Sequence, residues 1–98
     1  MPRVAWTPTA EQELGEIAFH IAVVEHRPAA ADRLTDDIVA KCELYATKPH
    51  AGTPRGDLGE GFRVLVQRPY LVVYRPIDDG IEVLRVLDGR RDYRSLFP

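Results

Sequence analysis

Three runs in the second half of the chain, Phe62 to Gln67, Tyr70 to Arg75 and Ile81 to Leu87, alternate with a period of two, the pattern of β-strands. Arg68-Pro69 joins the first to the second and Asp78-Asp79-Gly80 the second to the third. Both links are short enough to reverse the chain, so the three runs should form a meander. Phe62, Val64 and Val66 oppose Arg63, Leu65 and Gln67; Tyr70, Val72 and Tyr74 oppose Leu71, Val73 and Arg75; Ile81, Val83, Arg85 and Leu87 oppose Glu82, Leu84 and Val86. Both faces carry apolar groups. One should be core, and the mixed face with its arginines is the natural place for binding.

The first half changes period. Arg3 to Trp6 reads as a short strand, and Thr9 with Gln12 makes a capping box for a helix running from about Thr9 to Glu25, with Leu14, Ile17, Ala18, Ile21 and Ala22 inward and Glu11, Glu13 and Glu16 outside. Pro28 suits the first turn of a second helix, whose stripe Ala31, Leu34, Ile38, Cys42 and Tyr45 ends before Pro49. The short connection makes the pair an antiparallel hairpin. Lys48 to Gly61, rich in Pro and Gly and without periodicity, reads as a loop. The expected architecture is α+β in the order β-α-α-β-β-β, a helical hairpin packed on a small, mainly antiparallel sheet, as one domain over residues 1–98.

At 98 residues the chain supports one modest core, which argues against a deep cofactor cleft and implies no cofactor. Cys42 is the single cysteine, so there is no internal disulfide framework and no cysteine-based zinc site; His20 and His26 lack partners at ligand spacing, and no metal is expected. Glycines 52, 56, 59 and 61 lack the Lys and Ser or Thr of a phosphate-binding loop. The N-terminus from Met1 to Trp6 has no long apolar stretch, and no segment approaches the roughly 20 apolar residues of a membrane span. A cytoplasmic location without membrane contact is the expectation. Net charge is −2, yet residues 1–50 hold five Lys or Arg against eight acids whereas residues 61–98 hold seven Arg against five acids. Acidic and basic halves would face different partners if the fold separates them.

The run Pro54-Arg55-Gly56-Asp57-Leu58-Gly59-Glu60-Gly61-Phe62-Arg63-Val64-Leu65-Val66, then Tyr70 to Arg75, then Gly80 to Asp92, resembles the ParE/RelE family of type II toxins, closer to the ParE branch. The strand through Trp6 and the helix with Ala10, Leu14 and Ile17 resemble the family's start, so the likeness covers nearly the whole chain. The spacing of Arg63, Tyr70, Tyr74, Arg85, Gly89, Arg91 and Asp92 is its strongest element. The resemblance implies a toxin neutralised by the C-terminal segment of a cognate antitoxin in a hetero-oligomer. Operator DNA would be bound only through the antitoxin. The target is DNA gyrase in the ParE branch, or ribosome-bound mRNA, cleaved without metal, in the RelE branch; a toxin fold that only binds is a third reading.

RNA cleavage without metal needs a base, a donor for the leaving oxygen and cations around the phosphorane. Carried over, Arg91 matches the RelE-type C-terminal arginine and Arg63 the sheet arginine, while the tyrosine position falls near Phe97, which transfers no proton. His50 and Tyr93 are the alternative proton carriers. The catalytic candidates of the RelE reading are therefore Arg63, Arg91, His50 and Tyr93. Tyr70 and Tyr74 read as core-edge aromatics. The stretch Arg85 to Asp92, followed by Leu96-Phe97-Pro98, looks more like the ParE branch, although that branch usually has His at the position of Asp88 and a small residue at that of Arg90. Arg85, Arg90, Arg91 and Phe97 are its target-binding candidates, and a non-enzymatic poison is the preferred outcome. Arg85 could equally be structural, tied to Asp88 or Asp92. For the antitoxin the candidates are Ile21 and Val24, in an apolar run longer than one buried face needs, with Arg63 and Arg85 as partners for its acidic residues. The mode is helix-in-groove packing or strand addition.

Overall fold

The computed structural model describes residues 2–98; Met1, part of the N-terminal reading above, lies outside the described residues. Its strands are β1 (Arg3–Trp6), β2 (Thr53–Pro54), β3 (Arg63–Gln67), β4 (Tyr70–Ile77) and β5 (Gly80–Asp88), and its helices α1 (Pro8–Phe19) and α2 (Pro28–Ala46). One sheet runs in the order β1-β5-β4-β3-β2. β1 lies parallel to β5 and the other neighbours are antiparallel, so two helices pack on a mainly antiparallel sheet as the period analysis requires.

Local chemistry explains where the elements start and stop. A residue before proline is driven into extended backbone, which is the conformation a helix N-cap needs. Thr7, before Pro8, therefore caps α1: its Oγ1 accepts from the Ala10 N–H at 3.1 Å and donates to the Leu84 carbonyl at 3.0 Å. The cap is thus Thr7 and not Thr9. α1 also ends earlier than the apolar spacing suggests, because His20–Val24 widen into a π turn. Ile21 stays buried there while Val23 and Val24 turn to solvent. His26, at φ 55, takes the left-handed place usual for glycine, and the Arg27 N–H closes on the Ile21 carbonyl at 3.0 Å. Pro28 then opens α2.

The sheet is apolar on both faces. Against the helices lie Leu65, Val72, Tyr74, Ile81, Val83 and Val86 with Ile38 and Cys42. Opposite them, Val64, Val73 and Leu87 pack with Leu58, Phe62, Tyr93 and Phe97. The chain's own loop after β2 and its C-terminal tail thus cover the face that the sequence leaves half wet. A bulge reassigns part of β5: Val73 pairs with Arg85 but Tyr74 with Val83, leaving Leu84 as the extra residue. Beyond it the alternation inverts, so Val86 joins Ile81 and Val83 under the helices, and Leu87 faces the other way.

The two outer strands are short. At Gly80 a Cβ would strike the Arg3 backbone, so only glycine lets β1 dock on β5 there. β2, inside the stretch expected to be loop, holds two pairs with β3. Past it, the Lys41 ammonium donates to the Val66 carbonyl at 2.7 Å and satisfies one more acceptor of that edge. Among the described residues no helix is long and apolar enough to cross a membrane.

Candidate functional site

β1 stops at Trp6, opposite Val83, while β5 runs on to Asp88. The edge of β5 that β1 leaves bare must find other partners. Glu13 of α1 supplies one: its Oε1 accepts from the Val86 N–H at 3.0 Å, and its carboxylate takes the Arg85 guanidinium in a forked contact, Nη2 to Oε2 at 2.8 Å and Nε to both oxygens at 3.1 Å. Side-chain exposures of 23% and 17% make this a part-buried pair. The hydrogen bonds that Arg85 donates to Glu13 raise its pKa further, against burial, so the guanidinium stays charged. Glu13 therefore does not stand outside with Glu11 and Glu16, and the partner of Arg85 is neither Asp88 nor Asp92.

Asp88 is committed elsewhere. Its Oδ1 accepts from the backbone N–H and Nε of Arg90 at 2.9 and 3.0 Å, and its Oδ2 from Nη2 at 2.9 Å. Arg90's side-chain hydrogen bonds hold the Asp88 carboxyl below the usual carboxylate range, against burial. Arg91 reaches Asp88 only at 3.8 Å and is 85% exposed. The two arginines thus form a basic rim at the end of β5. With Leu96 they line one side of a groove of about 430 Å³, whose other side is Glu13, Glu16, Ile17 and His20 of the first helical segment, with Glu25.

The remaining candidates lie in different surroundings. Arg63, on β3, donates through Nη1 to the backbone carbonyls of His50 at 2.9 Å and Gly52 at 2.8 Å, so it acts as a strut under the connection after α2. His50 sits in a single 3₁₀ turn, Pro49–Ala51, and lines with Arg63, Glu60 and Arg75 a recess separate from the groove that Arg91 and Tyr93 line. The four residues of the RNA-cleaving set are therefore divided two and two between these places. Tyr93 is engaged: its hydroxyl accepts from Arg55 Nη1 at 3.0 Å. Arg55 is a residue that sequence reasoning passed over, as it did the role of Glu13. Its Nε and Nη2 are paired with Asp57 at 2.9 Å each, and these hydrogen bonds, then the one to Tyr93, raise its pKa.

Tyr74 is fully buried in the core, deeper than a core-edge aromatic, whereas Tyr70, buried but lining the groove, keeps to the core's edge. Of the two apolar antitoxin candidates, Ile21 is buried and unavailable to a partner, whereas Val24 is 57% exposed beside Val23 and Phe19. Among the described residues no group of three or more His, Cys, Asp or Glu side chains is placed to hold a metal ion.

Known proteins share the sequence pattern and the fold. Residues 4–93 match the family described as the ParE toxin of type II toxin-antitoxin system, parDE. Toxin ParE3 of Caulobacter vibrioides is 40% identical over 42 residues, a stretch that spans 43% of this chain and 42% of that protein. A solved structure, the chromosomal ParDE toxin-antitoxin system from P. aeruginosa, superposes with a TM-score of 0.74 at 27% identity, covering 90% of this chain and 96% of its counterpart. The family match spans almost the whole length and includes β1, both helices, the sheet and the basic rim, and on that ground the chain belongs to the ParE toxin family of type II toxin-antitoxin systems.

Proposed function

We propose that this chain is the toxin of an antitoxin pair, that it inhibits DNA gyrase through the segment carrying Arg90 and Arg91, and that it does so without cleaving RNA. The observation that carries this reading is the division of the cleavage set: Arg63 and His50 line one recess, Arg91 and Tyr93 another. A phosphorane needs its base, acid and cations around one phosphate. The rim instead offers the Arg91 guanidinium, with the Asp88-held Arg90 beside it, to an acidic or phosphate surface. Induction in bacteria without antitoxin should arrest growth with DNA breaks and an SOS response while early translation continues. Purified toxin should also inhibit supercoiling and decatenation. Unaffected gyrase with cut ribosome-bound mRNA would replace this reading by the RelE-like one, and harmless induction would leave only a binding role.

Neutralisation is assigned to the helical side. Phe19, Val23 and Val24 stand exposed at the end of the first helical segment. Between α1 and α2, Trp6, Leu14, Gly15, Ala18 and Val39 line an open groove of about 340 Å³ whose small residues leave room for another helix. A strand has less to add to at β5, where Thr7 already holds the Leu84 carbonyl and Glu13 the Val86 N–H. A helix of the antitoxin's C-terminal segment, with acidic residues toward the rim, fits better. Val24→Asp should then weaken the complex by about 2 kcal/mol, roughly 30-fold in Kd by calorimetry. Unchanged affinity would remove this face from the interface.

A further inference from the structure

We infer that Glu13 and Asp57 are positioning residues for the C-terminal segment, each holding an arginine against one aromatic ring of the tail. This rests on the reading that the segment with Arg90 and Arg91 meets the target.

After β5 the chain has little structure of its own. Its one regular element is the 3₁₀ turn Arg94–Leu96, and the Arg91 N–H returns to the Asp88 carbonyl at 3.2 Å. Side chains must therefore fix where the tail lies, and the same arrangement occurs twice. Asp57 grips Arg55, whose Nη1 donates to the Tyr93 hydroxyl and whose guanidinium carbon lies 5.7 Å from the Tyr93 ring centre. Glu13 grips Arg85, whose guanidinium carbon lies 5.7 Å from the Phe97 ring centre.

Phe97 also meets Phe62 edge-on at 6.4 Å, an arrangement aromatic pairs favour. An arginine over an aromatic face is attractive only while the guanidinium keeps its place, and a carboxylate fixing it from behind supplies that. The two gripping carboxylates come from elements far apart in sequence, Glu13 from α1 and Asp57 from the loop after β2. Tyr93 begins just past the stretch Gly89 to Asp92, so that stretch is held at β5 on one side and at Tyr93 on the other. The clamps thus limit where Arg90 and Arg91 can point, a form of preorganisation that lowers the cost of binding.

Glu13→Gln and Asp57→Asn keep side-chain size and remove the charge. In the full-length toxin each should speed amide hydrogen exchange of residues 93–97 about tenfold while β3 and β4 exchange as before. Each should also raise the concentration for half-inhibition of gyrase about tenfold. Combined with Phe97→Leu, Glu13→Gln should add little further loss, because both act through the same ring; full additivity would make Glu13 a general structural residue and overturn the inference. Unchanged tail exchange in both variants overturns it as well, as does faster exchange with undiminished gyrase inhibition. Should either charge variant fail to fold, Tyr93→Phe, which deletes only the oxygen that Arg55 binds, and Phe97→Leu carry the same two measurements. A wild-type chain that leaves gyrase untouched would refute the proposed function, and hydrogen exchange would still decide whether the carboxylates hold the tail.

Discussion

Tyr74→Ala is expected to lower the unfolding free energy by about 3–5 kcal/mol, the range for removing a large buried aromatic side chain. The ring is fully buried in the centre of the helix-facing core and meets Tyr45 edge-on at 6.2 Å. Its hydroxyl has a second task, donating to the Pro49 carbonyl at 2.7 Å and accepting from the Gly52 N–H at 2.9 Å. It thereby ties the turn after α2 to the middle of the sheet. The fit leaves no space at Gly52, where a Cβ would run into the tyrosine. A domain of this size has about 5–15 kcal/mol in all, so the substitution removes a large fraction of it. Urea denaturation at neutral pH measures the loss, and Tyr74→Phe separates its parts. That variant keeps the ring and orphans two backbone groups, for an expected cost of about 1–3 kcal/mol. A Phe variant as stable as the parent would mean that the hydroxyl contributes nothing to the tie.

Much of this architecture is legible in the sequence because its signals are local. The period of two across Phe62–Gln67, Tyr70–Arg75 and Ile81–Leu87 gives the meander, and the stripe through Ala31, Ile38 and Cys42 gives α2. Where the reading departs, the cause is tertiary or a matter of backbone count. One extra residue at Leu84 inverts the faces of β5, and no pattern in so short a run marks it in advance. The face that looked available for a partner is occupied by Tyr93 and Phe97, because a tail without periodicity gives no sign of where it packs. Glu13 looks like one more acid on a solvated helix. Its importance follows from β1 ending at Trp6, a mismatch in strand length visible only once the strands are paired.

The basic rim was legible as a charge pattern, and the structure adds its internal logic. Asp88 and Arg90 are the two positions at which the sequence departs from the pattern that its resemblance implies. They bind each other through three contacts of 2.9–3.0 Å. The carboxylate at the end of β5 thus both accepts from Arg90 and orients it. Arg91, nearly free of partners, remains the side chain best placed to engage a surface outside the chain.

Above about pH 9 the fold is expected to lose stability steadily, and Cys42 should be the largest single cause. Burial pushes the thiol from 9.0 up to about 12, with the neighbouring Glu43 charge adding a smaller push. Burial also raises Tyr70 and Tyr74, in the first case helped by Asp88. For an acid whose native pKa lies above its unfolded one, the unfolded chain releases its proton first. Stability from that source is intact below pH 9.0 and falls as pH rises from there toward about 12, the window of the Cys42 shift. Each pKa unit corresponds to about 1.4 kcal/mol, so Cys42 alone can remove up to about 4 kcal/mol across it. Urea denaturation at pH 7, 9 and 10.5 should show the decline. Cys42→Ala should start lower, because it opens a small cavity, yet depend less on pH. The same burial makes the thiol inert: at pH 8 the native chain should react with an aromatic disulfide reagent only as fast as it opens, and at once in denaturant. Native labelling at the rate of a free thiol, or an equally steep alkaline decline in Cys42→Ala, would show that burial at this position does not govern the alkaline limit.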